Sequence, residues 1–458
     1  MRRTLALWLL LFGVYAATLG LDAFRNSDYA GNEPHYLLAV ESLVDDRDLD
    51  VQDEYAARAY ANFYPYDLDR DGELTEGRLN EPHGLGFPLL LVPAWLIGGA
   101  AAVELFLAAL GALAVALGYR LARHVVPDPW ALGAAAAVGL SPPFLAYGSA
   151  VYPELSAGAA LAGAALLAIR LDARPGWRGA FACFALLGAL PWLGPKYIPA
   201  GLVIGFYAAR AVWRARKRTL AFGAVELSLF SVALCVGLNE ALYGGPTPYA
   251  ANAEGETATG ASFPGGYLAR AYRLVALFID REYGLLRWAP VFALGFAGLW
   301  WLWRSHRDRL ARAVPQLREI ELTADLCAAA LGAQLLVAAF LAPTMFGAWF
   351  PSRHLVAALP LAIPLVAWGL RHAPRVGSAL AALTLAGSVW LYVDLRWAGR
   401  SLVTARPDAP WGPLERLFPS FETDGWPFWL AGAIGLALAA LVLRELRYPR
   451  QAAGGRFG

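Results

Sequence analysis

Carboxylates are concentrated in one stretch of this chain, residues 21–85. The stretch holds sixteen of the 36 acidic residues and only five arginines, whereas the whole chain has a formal net charge of +2. Apolar stretches rich in Ala, Leu, Gly and Trp follow it. Because transmembrane segments need no carboxylates, the clustering indicates a chemical role for the acids. They could transfer protons to or from a substrate, or bind a divalent cation.

The first candidate site lies in residues 27–37, SDYAGNEPHYL, directly after the first apolar segment. Pro34 suits the first turn of a helix, so Asp28 and Glu33 are expected near a helix N-terminus. The two carboxylates are candidate general bases or cation ligands. Acidic residues also commonly cap helices, and the spacing alone does not decide between these roles.

Residues 67–76, DLDRDGELTE, resemble the opening of a calcium-binding loop. Asp67, Asp69 and Asp71 occupy alternate positions, and a glycine that permits a sharp turn follows them. The bidentate glutamate expected at the twelfth position is replaced by Arg78, so a plain acidic turn is the alternative. A divalent cation is the only cofactor that the sequence suggests.

Further polar and aromatic residues fall in segments predicted to lie on the same side of a membrane as the acidic stretch. Ionisable residues near a membrane are costly and tend to mark pathways or sites, although single Tyr, Trp and Arg residues also anchor helices at the interface. The candidate substrate-binding residues are His35, Tyr36, His83, Tyr152, Lys196, Asp280, Glu282, Tyr283, Trp349, Arg353 and His354, and Glu154 is a further candidate catalytic acid.

Membrane helices are the elements that must position these residues. Hydrophobic residues make up 58% of the chain, and its mean hydropathy is +0.45. Apolar runs near twenty residues recur, about the length that a helix needs to cross roughly 30 Å of hydrocarbon. The sequence therefore predicts an all-α polytopic membrane protein with about twelve transmembrane helices, at 3–20, 102–122, 130–148, 153–170, 178–193, 197–213, 219–239, 286–303, 323–342, 353–370, 375–393 and 427–444.

Every second loop between these helices is rich in arginine. Short loops rich in Lys and Arg stay on the cytoplasmic side, so the alternation predicts cytoplasmic termini and an extracytoplasmic active face. The basic positions lie at 2–3, 120–123, 170–178, 210–218, 304–312, 371–375 and 444–450.

The predicted organisation is a single membrane domain, residues 1–458, with three longer extracytoplasmic segments. These are the acidic first loop 21–85, which carries amphipathic helices, and the loops 240–285 and 394–426; residues 86–98 are predicted as a short interfacial or re-entrant helix. The three cysteines fall inside predicted helices and indicate apolar packing and no disulfide framework. Basic residues cluster only in the cytoplasmic loops, so nucleic acid is not an expected partner.

The order of several short motifs resembles the GT-C class of membrane glycosyltransferases. The similarity is to family-39-like bacterial proteins, relatives of the protein O-mannosyltransferases and the lipid A aminoarabinose transferases. It spans roughly residues 1–370 and rests on the acidic motif after the first helix, HGLGFP at 83–88, YPE at 152–154, PWLGPKY at 191–197, DREYGLL at 280–286 and WFPSRHL at 349–355.

The resemblance implies transfer of a sugar from a polyprenyl-phosphate carrier to a lipid, glycan or protein acceptor. It also implies a protein that is surrounded by membrane lipids in a bacterial plasma membrane. It implies that Asp28 or Glu33 is the base or acceptor-orienting acid, and that Glu154 is the second acid. The family often has two adjacent acids where this chain has Asn32 and Glu33, which favours Glu33.

Relatives also tend to place a phosphate-binding basic residue near the segment where the chain re-enters the membrane. Residues 80–88 of this chain contain no Lys or Arg. Lys196 or Arg353 could replace it, because an anionic leaving group is stabilised by a fixed cation. A transferase of this kind is expected to bring Glu33 and Glu154 to one cavity that Lys196 or Arg353 lines.

Two other functions fit parts of the pattern. A transporter or flippase for a lipid-linked substrate would also carry charged helices, typically near the membrane midplane and in repeated halves. The chain shows no such repeat. A non-catalytic GT-C-like subunit is the second alternative, since the acidic motif departs from the family pattern.

Overall fold

The computed structural model describes residues 1–24, 26–72, 74–75, 77–251, 265–305, 315–403 and 417–447. Parts of the predicted loops 240–285 and 394–426 therefore lie outside the described residues. The α-helices, in chain order, are α1 Arg2–Ala16, α2 Glu33–Asp45, α3 Gln52–Ala57, α4 Gly86–Ala122, α5 Trp130–Gly139, α6 Pro142–Gly148, α7 Glu154–Ala173, α8 Trp177–Leu193, α9 Ile198–Arg214, α10 Arg218–Tyr243, α11 Gly265–Leu268, α12 Arg273–Ile279, α13 Leu285–Trp288, α14 Ala293–Ser305, α15 Pro315–Leu336, α16 Arg353–Val356, α17 Leu359–His372, α18 Pro374–Trp397 and α19 Trp426–Arg447.

Short 3-10 segments connect several of these helices, and one π-helical turn, Val337–Leu341, extends α15. The 3-10 segments are Ala59–Asn62, Pro195–Tyr197, Pro248–Ala251, Ala269–Tyr272 and Pro290–Phe292. The only sheet among the described residues is a two-stranded antiparallel hairpin of β1 Leu74–Thr75 and β2 Arg78–Leu79. The fold is thus helical, as the sequence predicts.

Five helices in the described part of the chain are long and apolar enough to cross a membrane, and a bent pair brings the number to six. They include α4, α7 and α18, together with Arg218–Ala251 and Glu319–Leu341, while α5 and α6 form the pair bent by 60°. The chain is therefore a membrane protein. Several other predicted spans correspond to helices of fewer than 18 residues, such as α8 and α9, so the count of twelve stays a prediction.

Helix α4 joins two segments that the sequence separates, 86–98 and 102–122. Gly98 and Gly99 interrupt it with non-helical dihedral angles, and Gly99 has a φ of +61°. Glycine tolerates such a φ because it lacks a Cβ. The break falls between the predicted short helix and the predicted span, and it lets their axes differ. The interfacial position of 86–98 stays a prediction.

Helix α2 places the acidic motif inside the protein. Pro34 occupies its first turn, as expected, and Leu37, Leu38 and Val40 are fully buried. The helix packs against α4. Because its buried side also carries Glu33 and His35, the packing brings ionisable groups into the interior.

Candidate functional site

Glu33 is held at the start of α2 by two backbone N–H groups. Its Oε2 accepts a hydrogen bond from Ala30 N at 2.8 Å, and its Oε1 accepts one from Val151 N at 2.7 Å. The residue is only 3% exposed. Burial raises the pKa of Glu33 to about 8, although both N–H donors lower it. The protonated and ionised forms are therefore close in free energy near pH 8.

Three acids line one cavity, here named the acidic cavity, with about 570 Å³ of open space among α4, α6, α18 and the residues that follow α1. They are Glu33, Asp28 and Glu104. Tyr29 donates a hydrogen bond of 2.6 Å to Glu104 Oε1. Burial, followed by the charge of Asp22, raises the pKa of Asp28. Burial thus favours the protonated state of Asp28 and Glu33 in this cavity.

Glu154 lies at the centre of a buried ion-paired group. It is the first residue of α7 and is 1% exposed. Its Oε1 lies 2.7 Å from Lys196 Nζ and 3.2 Å from Arg353 Nε. Its Oε2 is buried without a hydrogen-bond partner among the described residues. One carboxylate therefore holds two cations close together.

Arg353 is clamped between two aromatic rings. Its guanidinium carbon lies 4.2 Å from the ring centre of Tyr152 and 4.9 Å from that of Trp349. Only its Nε donates a hydrogen bond within the described part of the chain. The ring faces attract the cation, and the stacking fixes the plane of the guanidinium. Its terminal nitrogens remain available to a ligand such as a phosphate.

Lys196 and Arg353 line a second cavity, here named the basic cavity, with about 630 Å³ of open space. Proline, glycine and leucine residues form much of the remaining wall. The other polar and aromatic lining residues are Asn32, Tyr36, His83, Trp192, Asn239 and Tyr249. Residues of α10, a candidate membrane span, form part of its wall. An anionic headgroup with a lipid tail matches this combination of cations and apolar surface.

The segment 150–153 connects the two cavities. Ala150 lines the acidic cavity and Pro153 lines the basic cavity. Between them, Tyr152 donates a hydrogen bond of 2.8 Å to Ala30 O while its ring contacts Arg353. At Gly31, a Cβ would lie 3.0 Å from the Tyr152 hydroxyl, and the φ of +57° also favours glycine. The segment before α2 and the Arg353 guanidinium are thus linked through Tyr152.

The expectation of one shared cavity is therefore wrong. Glu33 lines the acidic cavity, whereas Lys196 and Arg353, which pair with Glu154, line the basic one. The physical reason is that Glu154 pairs directly with two cations. Glu33 instead accepts hydrogen bonds from two backbone N–H groups without a direct ion pair, although the charge of Arg353 lowers its pKa. Sequence order could not predict that the YPE segment at 152–154 would separate the two acids.

The residues around position 280 contact the backbone and form no part of either cavity lining in the described chain. Asp280 Oδ1 accepts hydrogen bonds from the N–H groups of Glu282 and Tyr283 at 2.9 and 2.8 Å, and its Oδ2 accepts one from Phe421 at 3.0 Å. Tyr283 donates a hydrogen bond of 2.7 Å to Gly347 O. These contacts fold a turn against the loop that precedes Trp349, so the substrate-binding roles predicted for this group stay predictions.

His354 is likewise held by backbone. Its Nε2 lies 2.9 Å from Thr344 O and donates to it. This hydrogen bond holds the start of α16 in place, and with it the neighbouring Arg353, which lines the basic cavity. The predicted contact between His354 and a substrate also stays a prediction.

The three aspartates of the predicted calcium loop have different surroundings. Asp67 is exposed and pairs with Arg58, and the Asp69 side chain is exposed. Asp71 instead lies 3.5 Å from His35 Nε2 and 3.2 Å from His83 Nε2. The chain after Asp71 enters the β1–β2 hairpin. Calcium binding by these three aspartates stays a prediction.

Two groups of side chains in the described residues could hold a metal ion. One consists of His35, Glu81 and His83, whose candidate ligand atoms all lie within 4.8 Å of one another. The other consists of Asp46, Asp53 and Glu54, of which the two aspartates are exposed. The histidine group is buried apart from a partly exposed His83, and it adjoins Asp71.

Sequence reasoning missed Glu104, Trp192 and Tyr249. Glu104 lies on α4 inside a predicted span, and a carboxylate in an apolar run of this length is itself a signal of function. Trp192 and Tyr249 line the basic cavity, but an aromatic residue near a helix end gives no distinguishing signal because interfacial anchors look the same.

No protein-family model matches the chain, and no curated protein matches it. Among solved structures, the chain is similar to the archaeal oligosaccharyltransferase AglB from Archaeoglobus fulgidus in complex with an inhibitory peptide and a dolichol-phosphate. The sequence identity is 14% and the TM-score is 0.44, and the match covers 89% of this chain and 56% of that chain. The Archaeoglobus fulgidus oligosaccharyltransferase in complex with Zn and sulfate gives 14% identity and a TM-score of 0.39, over 87% of this chain and 52% of that chain. The chain thus spans little more than half the length of these proteins.

Proposed function

We propose that the protein is a GT-C-like glycosyltransferase that moves a sugar from a polyprenyl-phosphate-linked donor to an acceptor hydroxyl on the extracytoplasmic face. The observation that supports this most is the pair of adjoining cavities. Two cations, the partly exposed Lys196 and the buried Arg353, line one of them, and Glu33, a carboxyl group with a pKa raised to about 8, lines the other. Glycosyl transfer from a phosphate-linked donor needs these two functions, a cation for the leaving group and a base for the acceptor.

The donor would bind in the basic cavity. Its phosphate would accept hydrogen bonds from Lys196 and from the terminal nitrogens of Arg353, which the aromatic clamp holds in one plane. The polyprenyl tail would run along α10, whose residues Cys235 and Leu238 line the cavity. No general acid is needed, because the phosphate leaves as an anion.

The acceptor would enter through the acidic cavity. As the bond between the sugar carbon and the phosphate oxygen breaks, the acceptor oxygen bonds to that carbon and its proton passes to the ionised Glu33. The transition state carries positive charge on the sugar, which a carboxylate in its ionised form would stabilise. Products are the glycosylated acceptor and polyprenyl phosphate, and Glu33 then returns its proton to solvent.

Lys196→Met tests the donor site, and Lys217→Met is its matched control. These are the only two lysines in the chain, and Lys217 bonds to Pro175 O at an exposed position. In proteoliposomes, we expect Lys196→Met to weaken binding of polyprenyl phosphate by about tenfold, the loss of one charge-assisted hydrogen bond. Lys217→Met should bind as the unaltered protein does. Equal binding by both variants would contradict the assignment.

Glu33→Gln tests the base. Membranes that contain the variant should bind polyprenyl phosphate normally but transfer no labelled sugar from a set of polyprenyl-phosphate hexoses, because the amide cannot accept the proton. Glu240→Gln, an exposed acid on α10, is the control and should keep full transfer. Full transfer by Glu33→Gln would remove Glu33 from the mechanism and leave Asp28. Donor binding without transfer by the unaltered protein would favour the non-catalytic subunit.

A further inference from the structure

Two buried histidines converge on one carboxylate oxygen beside the basic cavity. His35 Nε2 lies 3.5 Å from Asp71 Oδ2, and His83 Nε2 lies 3.2 Å from the same atom. The His83 side chain is 7% exposed, and its Nε2 has no hydrogen bond of good geometry among the described residues. A buried polar nitrogen without a hydrogen bond costs free energy, so His83 Nε2 is expected to bind a further group.

The two separations from Asp71 Oδ2 match those between ligands of one metal ion. Zinc bonds of about 2.0–2.1 Å in a tetrahedral arrangement place neighbouring ligand atoms about 3.3 Å apart. The two distances to Asp71 Oδ2 lie on either side of this value. Two imidazoles and one carboxylate suit Zn²⁺ and related transition ions, whereas Ca²⁺ and Mg²⁺ prefer oxygen ligands alone.

Hydrogen bonds behind His35 prepare its outward nitrogen to bind a metal. Its Nδ1 lies 2.9 Å from each oxygen of Glu81, and Tyr55 donates to the same carboxylate. Because a carboxylate only accepts, Nδ1 carries a hydrogen, and in the neutral imidazole Nε2 keeps its lone pair. A carboxylate that orients a ligating histidine in this way is common behind zinc sites.

His83 can adopt the same tautomer. Its Nδ1 lies 3.4 Å from Asn32 Nδ2. Rotation of the Asn32 amide by half a turn exchanges its nitrogen and oxygen, and the oxygen then accepts from Nδ1–H. Both Nε2 atoms would then offer lone pairs to one ion.

We propose that His35 Nε2, His83 Nε2 and Asp71 Oδ2 bind one divalent transition-metal ion of the zinc type, with the remaining position open to water. The ion would join α2, the turn before β1 and the segment before α4, three parts of the acidic stretch that are distant in sequence. The half-exposed Asp71 provides its route of entry. Metal binding follows from these contacts alone and is independent of sugar transfer.

Metal analysis of the purified protein tests this directly. After chelation and addition of zinc chloride alone, we expect one tightly bound Zn²⁺ per chain, with nitrogen and oxygen ligands in the X-ray absorption spectrum. His83→Gln and Asp71→Asn should each weaken zinc binding at least tenfold, and Glu81→Gln should weaken it by about 10–100-fold as an orienting residue. Asp67→Asn, an exposed acid of the same turn, should bind zinc normally. Zinc binding by the His83 and Asp71 variants that equals binding by the unaltered protein would overturn the site.

Cobalt binding and proteolysis keep the test decisive if a variant fails to fold. The unaltered chain loaded with Co²⁺ should show the intense visible bands of a tetrahedral ion. Trypsin should cut after the exposed Arg70 and Arg78 several times faster once the metal is chelated, and added zinc should restore protection. Absence of the cobalt bands, or cleavage that is the same with and without zinc, would overturn the proposal.

Discussion

The acidic and basic cavities lie at opposite ends of the same four-residue segment, 150–153, yet they stabilise ionisable groups in different ways. Around Glu33, the described lining includes no Lys or Arg, and the carboxyl groups contact N–H and hydroxyl donors. Around Arg353, opposite charges pair directly and aromatic rings cover the cation. Burial without a counter-charge favours the neutral form, whereas a close ion pair keeps both partners charged. The first environment suits proton exchange, and the second suits permanent charge.

The largest effect is expected from breaking the ion-paired group. Glu154→Gln removes the charge that holds Lys196 and Arg353 together, and leaves two cations facing each other in a buried place. We expect the free energy of unfolding to fall by about 3 kcal/mol, as when one partner of a buried pair is lost. Unfolding in mixed detergent with increasing dodecyl sulfate measures this. Glu240→Gln should change it by less than about 0.5 kcal/mol. Similar values for both variants would mean that the pairing does not stabilise the fold.

An intermediate effect is expected from pH at Glu33. Its folded pKa of about 8 lies above the ordinary value of 4.5, so the folded state holds its proton more tightly than the unfolded state does. Its contribution to stability is therefore fully present below pH 4.5 and declines as the pH rises to about 8, by at most about 1.4 kcal/mol per pH unit. The difference in unfolding free energy between the unaltered protein and Glu33→Gln should decline over this range. A difference independent of pH would show that Glu33 is ionised throughout.

The smallest effect concerns coupling inside the acidic cavity. The charge of Glu104 contributes to the raised pKa of Glu33. Glu104→Gln keeps an oxygen that accepts from Tyr29, so the unfolding free energy should change by less than about 1 kcal/mol. The pH at which the Glu33 contribution is lost should nevertheless move downward. An unchanged midpoint would indicate that the two carboxyl groups titrate independently, and the contrast between the cavities would then rest on burial alone.

The helices were predictable from local pattern. The predicted spans 153–170, 178–193, 197–213 and 375–393 lie within a few residues of α7, α8, α9 and α18. Long apolar runs bounded by Pro, Gly and Arg define such helices, because an unpaired backbone is too costly in hydrocarbon. The start of α2 at Glu33 also followed from Pro34. These features depend on neighbours in sequence, which composition and periodicity record.

The sequence by itself determined which residues are chemically unusual: Asp28, Glu33, Glu154, Lys196 and Arg353. Only the tertiary structure decided their partners. The Glu154–Arg353 contact joins positions 199 residues apart, and Tyr29–Glu104 joins positions 75 apart. A buried charge must find a partner, but nothing in its local sequence specifies which of many distant groups will supply it. For that reason the acids could be identified from the sequence, while their division between two cavities could not.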